Sequence, residues 1–520
     1  MKITFIIADH EEIPPTVLKE DWSGLFHFSV AQLSACLKRE GHQTSLIHIV
    51  RELGREEFIS HVRRQDPDLL AFTSMSGVFP YISKLANWAK ADTGILTICG
   101  GVHPIIDTEE VIRSEGVDIA CCGEGEYPLI ELCQRLEQGK DYYGIANLWV
   151  KRNGNIRRNA TRPLIEDLDT LPDFDREIFD FANLYTTKVG HNAYMICSRG
   201  CPYDCTFCCN HLIRTKYPNS GRYVRFRSPE RVAAECREVL KTYPVVKIFR
   251  FWDDVLTLQK PWAEEFLELY GREIGLPFHC YEKVNTLTKD RVEWLKRAGC
   301  MEVTLGIQSG NETIRREILN RKMSDRQILI SAFWLREAGI RIQTENILGF
   351  PGEDKSKILD TVKINARIDP TMVKIFYFNP FKHTSLYEHC KEKDYLRTDR
   401  PFARNLFDGP NLKLPTITDE ETRFCYNYFL IMMLHYQACY RRLPWAVRYL
   451  DAAFATRWLP HTLLNRFFDR FLSRRMKQNY FLYRMERKWK FLHISFIIPL
   501  GMLILAVRSI VQAFRTKTAH

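Results

Sequence analysis

Short apolar runs alternate with helix-length amphipathic stretches in two separate series along this 520-residue chain. No other feature constrains the fold as much. Runs joined by helix-long connections lie parallel, and a parallel sheet needs helices over both faces. In the first series the runs fall at residues 3–8, 44–49, 69–74, 95–100 and 118–122, with helical stretches such as 28–40 and 78–89 between them. Residues 1–140 therefore read as a doubly wound parallel sheet, with its ligand beyond the carboxyl ends of the strands. Gly100-Gly101-Val102-His103-Pro104 and Gly123-Glu124-Gly125-Glu126 directly follow two of these strands. Glycines there either let the backbone approach a large ligand or simply turn the chain.

Residues 141–190, charged and punctuated by Asn153-Gly154-Asn155 and Leu171-Pro172-Asp173, read as a linker. The second series places strands at 193–198, 246–252, 278–284, 301–308, 340–349 and 372–379, with helices at 231–241, 289–298 and 325–338. Six βα units over 191–410 predict a partial (β/α)6 barrel of the TIM type, open on one side. Catalytic groups in such barrels sit on loops at the carboxyl ends of strands. There lies Cys197-Ser198-Arg199-Gly200-Cys201-Pro202-Tyr203-Asp204-Cys205-Thr206-Phe207-Cys208-Cys209. Cys201, Cys205 and Cys208 stand at C-x3-C-x2-C and can hold three irons of a cubic 4Fe-4S cluster. Electron-transfer clusters use four cysteines; three leave one iron open for a reactant. The competing reading is a structural zinc site, completed by Cys197 or Cys209. Cys197, at a strand end, reads as a small buried residue, and Cys209 is adjacent to Cys208 and out of reach of the same cluster.

With 45% hydrophobic residues the chain can bury large cores and is neither disordered nor fibrous. The first residues run straight into a strand and lack the features of a cleavable signal peptide. Sixteen cysteines, scattered or at ligand spacing, fit a reducing cytoplasm better than a disulfide framework. The net charge of +11 is uneven: residues 441–490 hold thirteen Lys/Arg against Asp451, Asp469 and Glu486, interleaved with Trp445, Trp458, Phe467, Phe468, Phe471 and Trp489. Nucleic acid competes for any basic stretch, but the apolar run that follows favours anionic lipid headgroups. That run, 491–507, is broken by His493, Ser495 and Pro499. A spanning helix needs about 20 residues, so an in-plane helix, a span and a buried helix stay open. If it spans, the basic flank keeps the catalytic domains in the cytoplasm. Residues 411–520 are thus expected to be helical and basic, in peripheral contact with a membrane.

The cysteine motif, with Phe207 before its third cysteine, resembles the signature of radical S-adenosylmethionine enzymes. The flanking Ser198-Arg199-Gly200 and Pro202-Tyr203 are similar to the subgroup with an N-terminal cobalamin-binding domain. Gly100–His103 and Gly123–Glu126 resemble that Rossmann-like first domain. Phe251-Trp252-Asp253-Asp254, Gly306-Ile307-Gln308-Ser309-Gly310 and Leu348-Gly349-Phe350-Pro351-Gly352-Glu353 resemble its barrel. The resemblance spans about residues 1–400. It implies three cofactors: a 4Fe-4S cluster, S-adenosylmethionine and cobalamin. The open iron would chelate the amino and carboxylate groups of S-adenosylmethionine, and an electron from the cluster would release a 5′-deoxyadenosyl radical. Such a radical removes hydrogen from unactivated C–H bonds, chemistry that the cofactor carries and the protein positions.

By position, the resemblance puts Phe207 near the adenine, Asp253 and Asp254 at the methionine end, Ser309 near the ribose or carboxylate, and the Gly349 backbone at the adenine. Ser74, Gly100, Gly101, Gly123 and Glu124 would line the cobalamin. Two departures stand out. Gln308 replaces a glutamate common in the subgroup, and the first domain lacks the Asp-x-His-x-x-Gly pattern that supplies a histidine to cobalt, Asp9-His10 being out of register. The implied reaction is methylation of an unactivated carbon, and the basic, aromatic tail makes a hydrophobic or lipid-like small molecule the expected substrate. The alternatives are cobalamin-assisted oxidation or cyclisation and, outside enzymes, an iron–sulfur electron-transfer or scaffold protein. A low-potential donor of flavodoxin or ferredoxin type is expected; nucleic acid is not.

Overall fold

A computed structural model describes residues 1–9, 24–217, 221–397, 407, 409–456 and 460–467. The first sheet contains β1 (Lys2–Ala8), β2 (Gln43–Ile49), β3 (Leu69–Thr73), β4 (Leu96–Gly100), β5 (Ile119–Cys121), β6 (Leu148–Arg152) and β7 (Asn155–Arg158) in the order β2-β1-β3-β4-β5-β6-β7. β1 to β5 are parallel. Alternate residues of β1 serve opposite faces, as the pleat requires. Ile3, Phe5 and Ile7 pack with Val30, Leu37, Leu129 and Leu132, while Ile6 and Ala8 pack with Phe58, Val62, Ile82 and Leu85.

The stretch read as a linker does more than connect. β6 and β7 form an antiparallel hairpin that extends the first sheet beyond β5. Asn153 and Gly154 both have positive φ (49° and 78°), the requirement of a two-residue turn matched to strand twist. Leu148 and Val150 then face the core. Farther on, the Asp175 carboxylate accepts from Ser34 Oγ at 2.5 Å, and Arg176 donates to buried Glu235 at 2.5 Å. The segment is therefore stitched to both flanking units.

The second unit runs through β8 (Asn192–Met195), the short ribbon of β9 (Ser198–Arg199) and β10 (Arg225–Phe226), then β11 (Ile248–Phe251), β12 (Phe278–Glu282), β13 (Cys300–Gln308), β14 (Arg341–Leu348) and β15 (Met372–Tyr377). Its main sheet has the order β15-β14-β13-β12-β11-β8, with every pair parallel. This is the open half-barrel. Helix starts follow local chemistry. Ser228 caps Pro229–Thr242, and Ser324 with Gln327 makes a reciprocal capping box at Asp325–Glu337. Phe249, Phe251, Phe266, Tyr270 and Phe278 fill the core between sheet and helices with edge-to-face contacts.

After the barrel, the helix Asp419–Arg442 lies along Lys355–Ile368, and Phe424, Phe429, Met432 and Tyr436 bury against Ile358, Leu359 and Val362. Among the described residues no helix is long and apolar enough to cross a membrane. The 491–507 run and most of the basic tail lie outside the described residues.

Candidate active site

The cysteine loop leaves the carboxyl end of β8 and is held from several sides. Thr206 donates its N–H to the Leu319 carbonyl (3.3 Å) and its hydroxyl to the Ile318 carbonyl (2.5 Å). Asn320 donates to the Asp204 carbonyl at 3.0 Å, and Leu386 N–H to the Thr206 carbonyl at 3.1 Å. Cys208 N–H closes a turn onto the Cys205 carbonyl at 3.1 Å. Arg321 bridges loop and sheet, its guanidinium 3.6 Å from Cys205 Sγ and 2.5 Å from the Gly306 carbonyl. Lys283 Nζ sits 3.1 Å from the centre of the Tyr203 ring. Two cations thus flank the thiols, and burial lowers Lys283 to about 8 with Arg321 adding repulsion.

Burial pushes the Cys201 thiol up to about 12, with Asp254 adding to it. Cys208 is raised by its contact with Cys209 and by burial. A thiolate here needs a cation against it, which is the charge a bound metal ion carries. Cys197 is fully buried and points away into the core.

Acids line the strand ends behind the loop. The Asp253 carboxylate, 1% exposed, accepts from Cys197 N–H at 3.0 and 3.1 Å and from the Ser198 hydroxyl. Burial raises it to about 6 despite those donors. Asp254 accepts from Asn210 at 3.0 and 3.2 Å and is also raised by burial. Glu282, bonded to Thr257 and Thr286, is pushed by burial to about 7. Glu353 Oε2 receives Gly349 N–H (2.8 Å) and Phe350 N–H (3.1 Å), which shapes the turn where Gly349 has φ +91°. Phe207 packs on Phe350 at 5.9 Å. Ser309 is fully buried, with its hydroxyl 3.3 Å from Asn311 N. Gln308 ends β13 with φ +66°, and its buried amide oxygen has no hydrogen-bond partner among the described residues.

In the first unit, Ser74, Gly100, Gly101, Gly123 and Glu124 all fall at the carboxyl ends of strands β3, β4 and β5. Ser74 N–H donates to the Gly100 carbonyl (2.9 Å), and its own carbonyl accepts from His103 N–H (3.0 Å). Gly101 has φ +108°, and a Cβ there would stand 2.8 Å from that carbonyl, so only glycine suits. Gly123 makes room for the Asn147 carboxamide. Glu124 turns toward the other unit. It accepts from Arg199 at 2.9 Å, from Arg225 at 3.0 and 3.1 Å, and from Ile165 N–H at 2.8 Å. Arg199 also reaches Glu126 at 2.6 Å. Because Arg199 and Arg225 are register partners in β9–β10, two residues from Cys201, one polar seam joins the first strand edge to the cysteine loop.

Two family models match at these places: the B12 binding domain over residues 25–133 and the radical SAM superfamily over residues 195–364. The chain joins a B12-binding domain to a radical SAM domain. Its cofactors are accordingly a 4Fe-4S cluster, S-adenosylmethionine and cobalamin, and it is an enzyme of the radical SAM type. It is similar to an uncharacterized methyltransferase, PH0819, of Pyrococcus horikoshii, 26% identical over 74% of this chain and 83% of that one. It is also similar to the anaerobic magnesium-protoporphyrin IX monomethyl ester cyclase of Rubrivivax gelatinosus, 23% identical over 70% and 66%. Among solved structures, the cobalamin-dependent S-adenosylmethionine radical enzyme OxsB with aqua-cobalamin bound matches in fold, with a TM-score of 0.64 at 14% identity, over 99% of this chain and 81% of that one.

The radical SAM domain gathers Cys201, Cys205, Cys208, Phe207, Asp254 and Gln308 near one edge, while Asp253 is turned inward. Residues that the sequence reading passed over are the cations: Arg199, Arg225, Lys283 and Arg321. A single arginine within an apolar pattern carries no period, so only Arg199, inside the quoted motif, had a local signal.

Proposed function

We propose that this chain methylates an unactivated carbon of a hydrophobic small molecule. The observation that supports this most is the seam through Glu124, which ties the edge of the B12-binding domain to the loop expected to hold the cluster. When bound, the cluster and S-adenosylmethionine supply a carbon-centred radical and cobalamin supplies a methyl group. The chain's own residues position these groups. In this reading Cys201, Cys205 and Cys208 hold the iron, and Asp254 and the Gln308 amide oxygen accept N–H bonds from the amino group of the methionine end. Asp253 braces the loop through Cys197 and Ser198. Phe207, Ser309 and the Gly349 backbone bound the nucleoside end. Ser74, Gly100, Gly101 and Gly123 shape the corrinoid floor, and Glu124 holds that floor to the barrel.

The methyltransferase relative favours methyl transfer, and the cyclase relative supports the second reading, oxidation or ring closure without it. Product mass separates them. Anaerobic turnover with labelled S-adenosylmethionine is expected to add one methylene to the substrate; a loss of hydrogen or a gain of oxygen overturns the first reading. No 5′-deoxyadenosine from the reduced, loaded protein overturns both.

A lipid-like substrate taken from a membrane surface is part of the proposal. Its support is the exposed patch of Leu443, Trp445 and Tyr449 (43%, 63% and 41% exposed) beside Arg441, Arg442 and Arg448, a composition suited to an anionic interface. Liposome flotation unchanged by removal of residues 441–520 removes it. The electron donor is proposed to be a flavodoxin or ferredoxin, on the low potential that the cluster requires.

A further inference from the structure

Away from the cysteine loop, a second group of ligating side chains converges. Asp9 follows β1, His48 lies one residue before the end of β2, and His27 immediately precedes the helix Phe28–Arg39. His27 Nε2 is 2.7 Å from Asp9 Oδ1, and His48 Nε2 is 2.5 Å from Asp9 Oδ2. Leu25 N–H adds a bond to Oδ2 at 2.8 Å. Among the described residues this is the one set of three His, Cys, Asp or Glu residues whose ligand atoms all lie within 4.8 Å of one another.

The surroundings hold the rings in place. Phe179 stacks on His27 (6.3 Å, 13°) and meets His48 edge-on (5.8 Å, 82°). Gly24, at φ +89°, passes so close that a Cβ would stand 2.2 Å from the His48 ring. The Asp9 side chain is 1% exposed, but His27 and His48 keep 23% and 11%, so the open side faces outward.

We propose that Asp9, His27 and His48 form a binding site for one divalent transition-metal ion. Two imidazole nitrogens and one carboxylate oxygen are the donors of zinc and of non-haem ferrous sites; calcium and magnesium prefer all-oxygen sets, and cuprous ion prefers sulfur. A divalent ion takes the place of the two N–H protons that otherwise bridge each imidazole to the carboxylate. Donor atoms about 2.1 Å from a tetrahedral ion stand roughly 3.4 Å apart, so the three side chains open by about 0.8 Å. The bound ion clasps β1, β2 and the first helix at the edge where the strand ends face their ligand. Both Nε2 atoms are turned on Asp9.

The test uses the full chain, with cluster and cobalamin loaded anaerobically so that the cysteines are occupied. Zinc is the probe, added at one to three equivalents and followed by desalting. One zinc per chain is expected, with iron and cobalt contents unchanged and a melting temperature that rises with free zinc, as ligand linkage requires. The double variant His27→Gln/His48→Gln keeps amide donors for the Asp9 carboxylate but lacks imidazole, and should bind zinc at least about tenfold more weakly. Independently of any variant, zinc should protect His27 and His48 of the wild-type chain from diethylpyrocarbonate, read by peptide mass. No zinc uptake, equal uptake by the double variant, or unprotected histidines would each overturn the proposal and leave a hydrogen-bonded strut.

Discussion

The carboxyl edges of the two sheets face comparable tasks and are built from opposite materials. The edge of the B12-binding domain is backbone and glycine: at Gly101 and Gly123 any side chain would strike Ser74 or Asn147. The edge of the radical SAM domain is thiols, buried acids and buried cations. The carboxylates make the contrast quantitative in sign. Burial alone pushes Asp9 up, but bonds from His27 and His48 outweigh it and hold the group well below the usual carboxylate range. Asp253, Glu282 and Glu353 are equally buried, with neutral donors for most of their bonds, and rise to about 6, 7 and 7. Desolvation is common to all four; the two imidazoles hydrogen-bonded to Asp9 reverse its direction. A large, weakly charged ligand wants space along the backbone, whereas a small anionic cluster wants its charge balanced nearby.

That contrast can be broken most severely at the thiols. Cys205→Ala should lose the cluster and with it essentially all cleavage of S-adenosylmethionine, with the melting temperature little changed; iron content and 5′-deoxyadenosine yield measure this. If the variant kept a full cluster, the three-cysteine assignment would fall.

The seam tests whether the two edges act together. Glu124→Ala leaves Arg225, whose side chain is 4% exposed, without its carboxylate, at a cost of about 3 kcal/mol in the range for breaking a buried pair. A lower melting temperature is expected, with 5′-deoxyadenosine still formed but less methylated product per radical event. An unaltered ratio would show that the seam does not couple the edges.

Charge balance at the cluster is sharpened by Arg321→Met. Losing a unit charge that stands 3.6 Å from Cys205 Sγ, at an effective dielectric constant near 20, should make the reduction potential more negative by on the order of 100 mV. Spectroelectrochemistry reads it directly, and an unmoved potential would deny the guanidinium that role.

The smallest effect concerns the acids. Glu282 is raised to about 7 in the folded chain against about 4.3 unfolded. Between those values the folded state binds the extra proton, so this residue's contribution to stability falls as pH rises through the window. Glu282→Gln should therefore gain stability relative to wild type from pH 5 to pH 8. Thermal melts that run parallel across that range would contradict the raised value.

Much of this was legible in the chain itself. Helix-long spacing between apolar runs dictates parallel pairing, and the first- and second-unit strands expected from it appear within a few residues of their observed bounds. The hairpin of β6 and β7 was harder to see. Its Asn153-Gly154 turn is a local signal, but β7 has only Ile156 to bury and no apolar alternation. The helices after residue 410 were expected as a class; their packing on Lys355–Ile368 was not.

Local covalent spacing limits which thiols can share one cluster, because three cysteines within eight residues cannot travel far apart. The positive φ of Gly101 is a local property, but the groups that a side chain would strike at Gly101 and Gly123, Ser74 and Asn147, come from elsewhere in the chain. What only the tertiary structure decided is the company each charge keeps: Arg321 at Cys205, Arg225 at Glu124, and two distant histidines at Asp9. Those partners lie tens to hundreds of positions apart, and electrostatics depends on distance in space and on burial, neither of which leaves a period in the sequence.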